Sequence, residues 1–244
     1  SQDTVDLGRD RVEQELTRGS LCADSTIVQG PIDVADQADL EALRGCEEIR
    51  GNLRIGVFEG TDLTPLASLR MITGSFWIGD NVAGRALEGE LERIRIVEAG
   101  WLPSLHGLEG LEIVGSMNLR WIAAPDLTAF QNLRYVTSLE DGAGGIGIIE
   151  ARNLVDLTGL GGIINLRRLD LSDNPALESL NGVRFGREIE DLEFFGNPRL
   201  ADITALEPVE AIRFALYLQG SAVRNLDALA NLYFGDIHLV ENPV

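Results

Sequence analysis

Lysine does not occur in this chain: all 20 basic residues are Arg, set against 39 Asp and Glu, for a formal charge of −19. Without an ammonium group there is no Schiff-base chemistry, no phosphate-loop lysine and no kinase-type phosphate pairing. The acidic balance also excludes a nucleic-acid binder and a polybasic membrane-surface protein, both of which need a cationic face. Histidine is limited to His106 and His238, and no H-E-x-x-H, G-x-S-x-G, calcium-loop or paired-cysteine metal spacing occurs, so neither a metal nor a cofactor is expected. Long apolar runs are missing too. Nothing approaches the roughly 20 residues of a membrane-spanning helix. Ser1 opens a polar stretch instead of a basic-then-apolar leader, so any leader or lipid anchor would lie outside this chain. There is no N-x-S/T glycosylation signal.

What the chain does have is 27 glycines, 45% hydrophobic residues and a repeat. Apolar-x-apolar pairs recur at Ile32/Val34, Leu53/Ile55, Phe76/Ile78, Ile94/Ile96, Met117/Leu119, Ile146/Ile148, Leu169/Leu171, Leu192/Phe194, Leu216/Leu218 and Ile237/Leu239, at intervals of 18 to 29 residues. A period of two marks each pair as a short half-buried strand, and one strand per interval is the rhythm of a solenoid. Between strands, apolar residues fall three apart, as in Leu63, Leu66, Leu69, Ile72. That spacing predicts a 3-10 or helical return path with one edge inward. The expectation is a mainly β, right-handed parallel solenoid of about ten coils over 30–244, preceded by a polar lead and cap over 1–29.

Asn81, Asn174, Asn197 and Asn242 each stand three residues beyond the second apolar strand position, the last three followed by Pro. An Asn there can bond the backbone of the bend and form a ladder between coils, while Pro holds it extended. Leu166 to Asn174 reads L-x-x-L-x-L-x-x-N, the leucine-rich-repeat signature. Other turns carry a glycine before the strand: Ile49-x-Gly51-x-Leu53, Ile72-x-Gly74-x-Phe76 and Val114-Gly115-x-Met117. Asn174 to Gly182 reads N-P-x-L-x-x-L-x-G. These residues resemble the receptor L-domain family, leucine-rich-repeat relatives in receptor ectodomains and in bacterial and fungal surface proteins. The resemblance covers about Ile32 to Val244 and implies a solenoid with binding character but no particular ligand. The chain departs from that family in having two cysteines only and more coils than one such domain usually has.

Cys22 falls in the cap and Cys46 takes a leucine place in the series Leu40, Leu43, Cys46, Ile49. Their separation is about one coil, which stacks them. Two buried thiols acting as apolar filler is one reading. The favoured one is a bridge that fastens the first coil, contributing roughly 3 to 4 kcal/mol and implying an oxidising compartment, hence a secreted or cell-surface protein.

The middle residue of each strand pair points away from the core. In order these are Asp33, Arg54, Trp77, Arg95, Asn118, Gly147, Asp170, Glu193, Tyr217 and His238. Arg54, Trp77 and Arg95 are expected to form a cation-π stack able to grip a carboxylate, a sugar or an acidic loop, the alternative being an ordinary solvated face. Asn118, Tyr217 and His238 complete the candidate ligand-binding row. Asp170 and Glu193 are neighbours on it, which suits retaining glycoside hydrolysis in spacing, although surface acidity is the simpler account in a chain so rich in carboxylates. Gly142 to Gly147 spells G-x-G-x-x-G but leads into a strand without an opening helix, so it reads as an insertion and not a dinucleotide site. The expected function is a non-enzymatic extracellular or cell-surface module binding a protein or glycan on its sheet face. A polysaccharide hydrolase using Asp170 and Glu193, or a structural spacer that self-associates as a homo-oligomer, are the alternatives.

Overall fold

The computed structural model describes residues 20–79, 101–137, 144–164 and 166–242. Among them run thirteen strands in one parallel sheet: β1 Ile27–Gln29, β2 Ile32–Val34, β3 Glu48–Arg50, β4 Leu53–Ile55, β5 Met71–Ile78, β6 Ile113–Arg120, β7 Tyr135–Val136, β8 Ile146–Ile149, β9 Arg168–Ser172, β10 Glu188–Ile189, β11 Asp191–Phe195, β12 Ala211–Gln219 and β13 Phe234–Val240. The chain is a parallel β-solenoid of about eight turns.

Each turn contributes to two ladders instead of one. The long ladder runs β2, β4, β5, β6, β8, β9, β11, β12, β13, and its register aligns the predicted apolar pairs, for example Leu53 with Phe76 and Phe76 with Met117. A shorter one joins β1, β3, the start of β5, the start of β6 and β7, and returns at β10 and the start of β12. The corner between ladders explains the glycines that precede strands. A Cβ on Gly115 would lie 2.5 Å from the carbonyl oxygen of Gly74, so successive coils meet there backbone on backbone and a side chain would force them apart.

The ladder corrects the expected coil count. β5 hydrogen-bonds directly to β6, with Trp77 opposite Asn118, so Ile94/Ile96 supplies no rung between them. Phe76 and Met117 stand 41 positions apart yet are direct ladder partners, and period-two spacing could not tell an apolar pair that is no rung between them from one that is. Of the expected stack Arg54, Trp77, Arg95, the first two are ladder neighbours and the next rung after Trp77 is Asn118, while Arg95 and Asn81 lie outside the described residues.

Behind the strands, the three-residue apolar series turns inward as 3-10 segments at Thr64–Leu66, Thr128–Phe130, Thr204–Leu206 and Asp227–Leu229. Three of the segments open on an Asp two residues before Thr: the carboxylates of Asp62, Asp126 and Asp202 accept from both the backbone N–H and the hydroxyl of Thr64, Thr128 and Thr204. Leu53, Ile55, Leu63, Leu66, Leu69 and Ile72, strand and return alike, are all 2% exposed or less. One continuous apolar core therefore runs the length of the solenoid.

The ends differ. At the first, Cys22 and Cys46 are disulfide-bonded, the helix α1 Gln37–Ala42 packs beneath, and Val34 is fully buried. At the last, β13 pairs among the described residues with β12, and Ile237 and Leu239 are 40% and 38% exposed although their ladder partners Leu216 and Leu218 are buried. Among the described residues no helix is long and apolar enough to cross a membrane.

Candidate functional site

Strand alternation sends one side chain per rung of the long ladder outward, and parallel register lines these up without a break. Asp33 faces Arg54, Arg54 faces Trp77, Trp77 faces Asn118, then Gly147, Asp170, Glu193, Tyr217 and His238 follow. The predicted row is thus brought together, with Asn118 in the place expected for Arg95.

At the start of the row the Arg54 guanidinium lies 4.7 Å from the Trp77 ring centroid, and its Nη1 reaches Asp33 Oδ1 at 3.4 Å. The arginine thus lies over the indole, and the same ring lines a groove. At the far end Tyr217 and His238 are stacked, with centroids 4.6 Å apart and planes within 10°.

Two grooves open on either side of Asn118. The first, of about 230 Å³, has walls of Trp77 and Trp121 and a rim that includes Asn118 and Arg120. Trp121 went unnoticed in the sequence because it is not a strand-pair residue. It occupies the bend two places beyond Leu119, where the backbone is left-handed, φ 56°. Later coils fill the corresponding place with Glu150, Asp173, Gly196, Gly220 and Glu241, also at positive φ. A bulky ring in a conformation that favours glycine is the signal that could have singled it out. Its indole N–H donates to Glu150 Oε2 at 3.0 Å, which fixes the ring in the groove wall.

The second groove, of about 290 Å³, exists because Gly147 puts no side chain on the row: a Cβ there would lie 2.4 Å from Asn118 Oδ1. Its sides carry Ser116, Asn118, Arg168, Asp170, Asp191 and Glu193. Burial pushes the Asp170 carboxyl above its ordinary range, against the Ser172 hydroxyl, which donates to it at 2.5 Å, and the charge of Arg120. Glu193 is raised first by burial and then by the negative charges of Asp191 and Asp170. Arg168 is held at the groove edge by the buried Glu190, whose carboxylate it meets at 3.0 Å while Arg167 meets it at 3.1 Å. Together the two grooves form a cleft aromatic at one side and acidic at the other, with the Asn118 amide between.

The remaining sequence candidates are placed elsewhere. His106 is exposed on the return path, its Nδ1 2.6 Å from Glu109 Oε1. Asn174, Asn197 and Asn242 stitch coil to coil beneath the exit bend: each donates its side-chain amide to a carbonyl of the preceding coil and accepts an N–H from it. Gly144 and Gly145 lead straight into β8, a ladder strand. Among the described residues no group of His, Cys, Asp and Glu is arranged to hold a metal ion. A scan against protein-family models, a search of the curated proteins and a search of the solved structures found no match to the chain.

Proposed function

We propose that this chain is a non-enzymatic extracellular recognition module, and that it takes a polyhydroxylated ligand, a glycan, in the cleft on its outer sheet face. The observation that carries the reading is the pair of tryptophans, Trp77 and Trp121, walling a groove that continues past Asn118 into a row of carboxylates. Aromatic faces pack the apolar side of a sugar ring, while a side-chain amide and carboxylates accept from and donate to its hydroxyls. The disulfide fits an oxidising compartment, and the N-P-x-L-x-x-L-x-G and glycine-before-strand patterns that resemble receptor L-domains support a surface-recognition role.

A glycan and surface-protein binding screen tests it. Trp77→Ala and Trp121→Ala should each weaken the bound glycan by at least about tenfold, the loss expected of an aromatic anchor, without moving the affinity of ligands for any other face. A protein hit that survives both substitutions, with no glycan bound, would overturn the reading.

The neighbouring carboxyls of Asp170 and Glu193, both raised above their ordinary range, favour a second reading, a polysaccharide hydrolase using the two as acid and nucleophile. Glycan cleavage by the wild type that is abolished in the Asp170→Asn, Glu193→Gln double variant would establish it in place of pure binding.

A further inference from the structure

Several arginines of this solenoid are neutralised by the coil beside them: Arg54, Arg70, Arg187 and Arg199 meet Asp33, Glu112, Glu210 and Glu178, each from an adjoining turn. Arg120 is not, although the chain carries 39 Asp and Glu. It ends β6, and its neighbours along the ladder have no charge to offer. On one side stands Gly79, where a Cβ would lie 3.1 Å from that of Arg120, and on the other Ile149, its register partner. Two acidic side chains of the neighbourhood are engaged elsewhere, Glu150 by the Trp121 indole N–H and Asp170 by the Ser172 hydroxyl. Among the described residues the Arg120 guanidinium forms no ion pair, and it lies 5.5 Å from the centroid of the Trp121 ring. An exposed cation thus rests on one of the two rings that wall the aromatic groove, and lines that groove itself.

We propose that the sugar held against Trp77 and Trp121 is a hexuronic acid whose carboxylate pairs with Arg120, and that the sugar following it past Asn118 is uncharged. The inference rests on the glycan reading of the cleft and names the class of glycan.

The chemistry of each groove selects one half of that ligand. A ring packed on the tryptophans displaces water from the groove wall, and a guanidinium covered by a neutral ligand would lose hydration without gaining a partner. A carboxylate matches the guanidinium fork with two parallel hydrogen bonds. On a hexuronic acid it projects from the edge of the ring, so the apolar face stays free for the indole. Past Asn118 the groove is bordered by Asp170, Asp191 and Glu193, and Arg168 at its edge is already paired with Glu190. A second uronate there would set like charges together, whereas sugar hydroxyls donate to such acceptors. The cleft therefore accepts an acidic sugar next to an uncharged one and rejects an unbroken run of uronates.

Isothermal titration of the full chain tests this with hexasaccharides of both anomeric linkages in three forms: uronate alternating with a neutral sugar, the same compounds with their carboxyls reduced to hydroxymethyl groups, and unbroken uronate. The alternating acid should bind about tenfold or more tighter than its reduced form, the difference expected of one charge-assisted pair. Its affinity should fall with added salt, and that of the reduced form should not. Arg120→Gln should abolish the difference by weakening the acid form alone, and Arg120→Lys, which keeps the charge without the fork, should retain part of it. Unbroken uronate should bind poorly to the wild type and gain affinity in the Asp170→Asn, Glu193→Gln double variant. Equal binding of acid and reduced forms, a difference that survives Arg120→Gln, or preference for a sulfated neutral glycan over the uronates would each overturn the inference and leave the glycan reading standing. Failure of every acidic and neutral glycan to bind would remove both.

Discussion

Asn197 Oδ1 accepts the backbone N–H of Asn174 at 3.0 Å, and its own amide donates to the carbonyl of Leu171 at 2.7 Å. Both asparagines are fully buried. One side chain thus satisfies a donor and an acceptor of the preceding coil at the exit bend, where the left-handed Asp173 interrupts the ladder. Asn197→Ala leaves both groups buried and unpaired, and should destabilise the chain by about 2 to 4 kcal/mol. Asn197→Asp keeps the shape but replaces the amide donor, and should be no better tolerated. Urea denaturation checks this: the midpoint should fall with the slope unchanged.

Gly182 ends the N-P-x-L-x-x-L-x-G run at φ 96°, and a Cβ there would lie 2.3 Å from the backbone of Leu157 and Thr158 in the preceding coil. No flexible side chain can yield at that contact. Gly182→Ala should cost about 3 kcal/mol or more, through backbone displacement as well as conformational strain. Gly186 has open space around its missing Cβ, and Gly186→Ala should be neutral or stabilising by under about 1 kcal/mol. Thermal melts of the two variants side by side separate a close-packed position from a free one.

Two sets of carboxylates should respond to acid in opposite senses. Asp126 and Asp202 are held below the ordinary range first by the hydroxyls of Thr128 and Thr204 and then by their N–H groups. A depressed folded pKa gives stability that is present above about pH 4, the range of a free carboxylate, and lost as pH falls through the lower folded value. The cost of Asp126→Ala or Asp202→Ala, modest at these exposed turns, should therefore be present at pH 7 and fade on acidification. Asp170 is raised, chiefly by burial. Its ionisation lowers stability as pH climbs through the folded value, so Asp170→Asn should stabilise at pH 7 and have little effect below about pH 3, where the free carboxyl is also protonated. Denaturation midpoints across pH 2 to 8, on each variant against wild type, read both signs.

The Cys22–Cys46 bridge closes a segment of 24 residues. On chain entropy its removal should cost roughly 3 to 4 kcal/mol. Cys22→Ser with Cys46→Ser should loosen the first coil most, since contacts in a solenoid reach only adjacent turns. Limited proteolysis is the measurement: new cleavage should concentrate before Leu53 and leave the later coils intact.

The outer row was readable because a strand has a period of two, and all nine of its ladder positions, Asp33 to His238, are among the ten that spacing predicts. What spacing could not supply was which pair is a rung: Ile94/Ile96 has the right alternation, and only hydrogen bonding between β5 and β6 shows that the sheet passes it by. The short ladder escaped notice for a similar reason, since β1, β3, β7 and β10 are two or three residues long and too brief to show a period. The cleft was legible in part. Trp77, Asn118, Asp170 and Glu193 stood in the row, whereas Trp121 and Arg168 reach it from a bend and from the neighbouring ladder position, places set by tertiary geometry.

The unequal ends give the molecule a direction. A coil is held only by its neighbours, so the solenoid opens like a zipper, and the tab is at β13, where core positions already meet water. Amide exchange should rise in steps from the bridged coil towards Val240, and a chain pulled from both termini should surrender its last coil first.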